Sequence, residues 1–277
     1  MAVPSPVISA ECELLEAAAW GELHGRFGLQ AGSDIATVRR WGRAATLVSR
    51  AANIVAVNRA IGFGCERPLD RGQLDDIRTF YREQGKARWF LECSPHARID
   101  AAALADAGGE VGGTQVKLAA DLADVAELPM PCIQVVSASV SDGPQFMDLV
   151  GAQMGIPEEL RYGIVSTIGE PGWHFYFAMA DERPVAGAAM FIYGGGAWLG
   201  LAGTLPEYRN RGAQTALLIR RMQDARRVGC RWVTAEAFPE SGEPNPSLRN
   251  MKRLGLRELY QRPWYRFQED AAPSSTS

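Results

Sequence analysis

The stretch T-L-P-E-Y-R-N-R-G-A-Q-T-A-L, residues 204–217, decides how this chain is read. A strand-like run from Ala197 to Thr204 leads into it, and the apolar stripe of a long helix from Arg211 to Val228 leads out. The first turn of a helix presents backbone N–H groups without internal partners, at the positive end of the helix dipole. Such a turn is suited to a phosphate. Gly212 lets the backbone approach an anion closely, and Arg209 and Arg211 can each fork two hydrogen bonds onto phosphate oxygens. The loop is neither a Walker loop, since no G-K-[S/T] follows, nor a dinucleotide G-x-G-x-x-G, since it holds one glycine. By themselves these residues specify an anion site.

Working outward, the second half of the chain has a clear rhythm. Cys132 to Val140 reads as a strand, Pro144 to Gly155 and Pro157 to Ile168 as helices, and Trp173 to Ala180 and Pro184 to Tyr193 as antiparallel partners of the strand at 197–204. Gly194 to Gly196 fit a hairpin turn. After the long helix come a strand (Arg231 to Phe238), a short helix (Pro246 to Leu254) and a closing strand pair (Leu256 to Phe267). The first half is a shorter version of the same plan. It offers helices at Glu11 to Phe27, Asp70 to Gln84 and Asp100 to Ala107, with strands at 44–49, 53–58, 87–93 and 114–118. K-A-R-W-F-L-E-C-S-P at 86–95 echoes G-C-R-W-V-T-A-E-A-F-P at 229–239, which suggests an internal repeat. The prolines around 126–131 place the boundary, giving domains 1–130 and 131–268 and a disordered polar tail at 269–277.

The composition excludes several classes. An apolar fraction of 47% and a charged fraction of 22% describe a globular protein, and a net charge of −3 offers no general attraction to nucleic acid. Five scattered cysteines form no C-x-x-C pair, and three distant histidines form no ligand pair, so neither a disulfide framework nor a metal site is expected. Without a signal peptide or a run of about 20 apolar residues, the chain reads as cytoplasmic with no membrane association.

Residues 132 to 267 resemble the GNAT acyltransferase superfamily. The match is carried by T-x-P-x-x-R-x-R-G at 204–212, by the strand R-W-V-T-A-E-A-F, by N-P-S-L-R-N-M-K-R-L-G-L and by the ending E-L-Y-Q-R-P-W-Y. The resemblance implies a mixed-sheet α/β fold of tandem GNAT-like domains, the first degenerate and without a CoA motif, and acetyl-CoA as co-substrate. It implies that Leu201, Ala202 and Thr204 border the pantetheine arm, and that Arg209, Arg211, Gly212, Ala213 and Gln214 hold the pyrophosphate. Asn245, Ser247 and Asn250 would lie along the cofactor. Gln214 departs from the family's motif, which has a small residue there. The acceptor would be a primary amine of a small molecule or peptide, acetylated directly in a ternary complex.

Amine acetylation calls for a base and for an acid that protonates the leaving thiolate. The family's usual acid, a tyrosine on the last helix, is replaced here by Met251; Tyr260 and Tyr265 are the nearest substitutes, with Tyr260 favoured as the acid, and Glu236 is the candidate base through a water or a contact for a cationic acceptor. Half-buried aromatic packing for Tyr260 and a surface ion pair for Glu236 stand as alternatives. The missing tyrosine also leaves open a non-catalytic acyl-CoA-binding or regulatory module. In the first half, Asp70, Asp75 and Asp76 stand where phosphates would be repelled.

Overall fold

The computed structural model describes residues 6–27, 29, 35–126, 129–240 and 245–269. Of the tail expected at 269–277, residues 270–277 lie outside the described residues. The chain forms two compact units, Met1–Gln115 with Tyr260–Ser277, and Val116–Leu259.

The first unit begins with helix α1 (Pro6–Phe27), followed by the hairpin β1 (Ala36–Trp41) and β2 (Ala44–Ser49). Then come β3 (Arg59–Ile61), α2 (Arg71–Glu83), β4 (Arg88–Glu92) and α3 (Ala101–Asp106). The expected strand at 53–58 is instead a turn of 3-10 helix, Val55–Val57, because Asn58 folds back to bond Ala52 and Ile54 and gives Ser49 its acceptor. β1 has no counterpart in the sequence reading. Its arginines at 39 and 40 interrupt any apolar alternation. Strand β3 pairs with β2 antiparallel and with β4 parallel. The core stacks Tyr81 on Trp89 and Trp89 on Phe267, at 4.6 and 4.2 Å between ring centres.

Strand β5 (Glu110–Asp121) crosses the unit boundary. The second unit continues with β6 (Gln134–Ser137) and a helical stretch made of α4 (Gly143–Phe146), a π-turn (Met147–Gly151) and α5 (Ala152–Met154). Next along the chain are α6 (Glu158–Val165), β7 (Trp173–Ala180), β8 (Arg183–Tyr193) and β9 (Gly196–Thr204). Helix α7 (Ala213–Arg227), β10 (Trp232–Ala237) and α8 (Pro246–Arg253) complete the run, and β11 (Arg257–Gln268) closes the chain. Strands β6 to β9 form an antiparallel meander, while β9 and β10 are parallel. Alternation along β8, β9 and β10 buries Ala186, Ala188, Met190, Leu199, Val233 and Ala235 against the apolar face of α7.

The closing strands depart from the sequence reading. Strand β5 comes after the first unit's last helix, yet its second half pairs antiparallel with β10 from Val116 to Asp121. Strand β11 comes after α8, yet pairs antiparallel with β4 of the first unit. The division therefore falls at Gln115/Val116 and again at Leu259/Tyr260, not at the prolines of 126–131, and β11 is one strand where two short ones were expected. Glu269, assigned to the tail, is buried and meets Arg78 at 3.0 Å and the Trp89 indole at 3.1 Å.

Candidate functional site

The site grows from the parallel pair β9–β10 of the second unit. Pairing between β9 and β10 runs only over Trp232 to Thr234, opposite Gly196 to Trp198, after which the strands part. Two features set the edge that β9 turns toward the gap. Gly200 leaves room for the Trp198 indole, which a Cβ at that position would strike at 1.9 Å. Beyond it, Leu201 takes a positive φ of 45°, and the register with β8 shifts so that Leu201 and Ala202 oppose Ala188 alone. This is a β-bulge, which bends and twists its strand.

Beyond Thr204, Pro206–Tyr208 makes a 3-10 turn and the chain passes through positive φ at Asn210 (61°) and Gly212 (89°) before α7 starts. Gly212 is the N-cap and supplies no side-chain oxygen, so the first-turn N–H groups of α7 are not capped from within. The adjoining cleft has a volume of about 820 Å³. Four arginines (Arg209, Arg221, Arg249 and Arg253) and no acidic residue line it among the described residues, in a chain whose net charge is −3. An uncapped helix start in a cationic cleft fits the phosphates of a nucleotide cofactor.

Every residue expected along the cofactor lines this cleft except Leu201 and Arg211. Leu201 is buried, and its part in the edge is through its backbone. Arg211 lies over the Tyr208 ring at 5.2 Å, on the ring that also receives Arg183. Gln214 accounts for its departure from the family motif by what it holds. Its Nε2 donates to Ser247 Oγ at 2.7 Å, and its Oε1 accepts from Asn250 Nδ2 at 2.8 Å, which ties the start of α7 to α8. Asn245 caps α8, accepting from the Ser247 and Leu248 N–H groups at 3.0 and 3.2 Å, while its Nδ2 donates to the Phe238 carbonyl.

Sequence reasoning missed Gln153, Arg221, Arg249 and Arg253. Arg249 and Arg253 come after Asn245 at four-residue steps, so the helical period would have found them. Arg253 donates to Thr215 Oγ1 at 2.9 Å, beside the helix start. Gln153 receives Arg209 at 3.0 Å from a distant helix, and nothing local announces it.

The two catalytic candidates fall in different places. Glu236 lies two residues past the last parallel pair, on the face of β10 opposite α7, and does not line the arginine-rich cleft. The Trp198 Nε1–H donates to both of its carboxylate oxygens, at 2.9 and 3.1 Å, and the Lys117 ammonium stands 3.5 Å away. Tyr260 belongs to the first unit. It is buried, its hydroxyl donates to Glu13 at 2.7 Å, and burial together with that carboxylate drives its pKa far above the ordinary tyrosine value. A phenol so held keeps its proton. Tyr260 therefore serves the packing of the first unit, and the acid role expected of it is withdrawn. At the family's tyrosine position, Met251 is buried in the second unit's core.

A family model described as an acetyltransferase (GNAT) domain matches residues 96–235. No curated protein matches the sequence. Among solved structures, a GCN5-related N-acetyltransferase from Kribbella flavida is similar at TM-score 0.64 and 17% identity, covering 94% of this chain and 95% of that one. A tandem GNAT protein from the clavulanic acid biosynthesis pathway is similar at TM-score 0.58 and 14% identity, covering 97% and 96%. A GNAT-family structure from Novosphingobium aromaticivorans is similar at 0.56 and 16%, covering 93% and 99%. At these identities the likeness concerns the fold.

Proposed function

The chain belongs to the GNAT acetyltransferase family, and from that premise we propose that it transfers an acetyl group from acetyl-CoA directly to a primary amine of a small molecule or peptide. The observation that carries this reading is the parting of β9 and β10 beside the uncapped, arginine-lined start of α7. The edge at Ala202 and Thr204 would pair with the pantetheine arm as an added strand does. The N–H groups of Gly212, Ala213 and Gln214, with Arg209, would hold the pyrophosphate. Arg211 would add charge at the loop, and Asn245, Ser247 and Asn250 would flank the cofactor.

In the transfer, Glu236 would accept a proton from the ammonium acceptor through a water, freeing the nitrogen lone pair. The nitrogen attacks the thioester carbonyl carbon. As the C–N bond forms and the C–S bond breaks, the sulfur leaves with its electron pair, and the second amine proton passes to solvent. An alkyl thiol has a pKa of about 8.5, so its thiolate leaves without obligatory protonation. That chemistry makes the absence of the family's tyrosine tolerable. Trp198 fixes the carboxylate by donating to both oxygens.

Release of free thiol from acetyl-CoA on adding a panel of primary amines tests the reading. Glu236→Gln should lower that release by about 10²- to 10⁴-fold with acetyl-CoA affinity unchanged. Full release by Glu236→Gln would remove it as the base. A second reading, an acyl-CoA-binding module without turnover, draws support from Met251 at the acid position. Tight acetyl-CoA binding with no thiol release for any amine would favour it.

A further inference from the structure

Arg221 lies on α7, fully buried, at the floor of the cleft. Its Nε donates to the Leu217 carbonyl at 3.1 Å, and its Nη1 to the carbonyls of Ala189 at 2.8 Å and Gly200 at 3.4 Å. No carboxylate pairs with it among the described residues, and Nη2 makes no hydrogen bond to them. Burial pulls its pKa down to about 10, which leaves it cationic at neutral pH. A buried cation solvated only by carbonyl dipoles is costly, so its placement calls for a reason.

Ala189 and Gly200 face each other across β8 and β9 at the step where the register shifts. The next pair along is Gly187 with Gly203, so β9 carries one residue more than β8 between them. An extra residue disrupts the ladder and leaves backbone groups in need of other partners. Sliding β9 by one residue would restore the ladder, but it would turn every side chain on that stretch to the other face. It would also displace the edge that Ala202 and Thr204 present to the cleft. Arg221 supplies the donor that satisfies both carbonyls in the bulged arrangement.

We infer that Arg221 is a positioning residue that locks the β9 bulge in the register presenting the Ala202–Thr204 edge to the pantetheine arm. From Gly212 to Arg221 the helix rises about 13 Å, at ~1.5 Å per residue. Arg221 therefore acts toward the arm and its acyl end, away from the phosphates at the helix start. The inference rests on acetyl-CoA being the ligand of this cleft.

The test measures dissociation constants on the full chain for two probes. One is acetyl-CoA; the other is 3′-phosphoadenosine 5′-diphosphate, which keeps the phosphates and lacks the arm. Arg221→Met should lose about tenfold or more in acetyl-CoA affinity and bind the armless probe as the wild type does. Arg221→Lys should recover part of the loss, since an ammonium reaches one carbonyl without forking to two. Unchanged acetyl-CoA affinity in Arg221→Met overturns the inference. An equal loss for both probes also overturns it, because that pattern marks a general packing role. If Arg221→Met does not fold, Arg221→Lys decides alone: a loss confined to acetyl-CoA supports the inference, and none overturns it. Wild-type protein that binds neither probe would refute acetyl-CoA as the ligand, and this inference with it.

Discussion

In the second unit the parallel pair β9–β10 ends at Thr234 and the strands part beside a cleft; in the first, the parallel pair β3–β4 ends at Leu91. Past those ends the two units differ. In the first unit the chain returns past β4 and lays residues 97–99 along 64–69. The Arg98 N–H donates to the Gly64 carbonyl at 2.9 Å, and the Leu69 N–H to the Arg98 carbonyl at 2.8 Å. Leu69 and Ile99 form a parallel bridge. A Cβ on Gly64 would meet Ile99 at 2.8 Å and Ala97 at 2.9 Å, so the returning segment is packed tightly. The backbone edge that the second unit leaves beside its cleft is taken here by the protein itself.

The helix starts differ in the same sense. Helix α7 begins at a glycine with no side-chain cap, whereas Asp70 caps α2 by accepting from the Gln73 N–H at 2.9 Å. A carboxylate on that turn satisfies a donor and repels a phosphate. The two buried arginines of the first unit are likewise paired with carboxylates. Arg262 meets Glu13 at 2.9 Å, Glu16 at 2.6 Å and Glu92 at 3.1 Å, and Arg59 meets Glu16 at 3.0 Å. Four arginines of the second unit line a cleft, whereas Arg59 and Arg262 of the first are buried with carboxylates.

The contrast can be broken at either end. Arg262→Met would leave three buried carboxylates short of a cation and should destabilise the protein by about 3–5 kcal/mol in urea unfolding. Acetyl-CoA affinity measured under native conditions should not move. Gly212→Asp places a side chain at a φ of 89° and a negative charge at the helix start. It should weaken acetyl-CoA binding by about a hundredfold, ~3 kcal/mol, while the strained backbone costs about 1–3 kcal/mol of stability; retained affinity would count against the CoA site. Tyr260→Phe removes the donor to buried Glu13 and should cost about 1–3 kcal/mol of stability while thiol release per folded molecule stays at the wild-type rate. A fall in that rate would restore Tyr260 to the mechanism. The smallest effect is expected from Asp70→Ala, about 1 kcal/mol through the lost cap, again without change in acetyl-CoA affinity.

Much of this was legible locally. The strand-loop-helix at 204–217 is written in consecutive residues, because a helix start, a glycine turn and an arginine pair each depend on near neighbours. For the same reason β7 lies at the expected residues 173–180, and the face of α8 carrying Ser247 and Asn250 is set by a period of 3.6. The first unit's acidic helix start was visible too, in Asp70.

Partners far along the chain were not. That Gln214 holds Ser247 and Asn250, that Trp198 aims at Glu236, and that Arg221 serves the carbonyls of Ala189 and Gly200 are contacts over 21 to 38 positions of sequence. Tyr260 shows the limit most sharply. Its sequence neighbours place it just after the last helix of the second unit, but strand β11 carries it to Glu13, 247 positions away. Strand pairing is chosen by which edges remain open once the rest has folded, and an edge has no signature in the sequence of the strand that will cover it. The sequence by itself determined that a glycine-started helix flanked by arginines exists at 204–217 and what family it resembles. Only the tertiary structure decided which half keeps an open strand gap, which closing strand each unit receives, and which buried arginine holds the bulge.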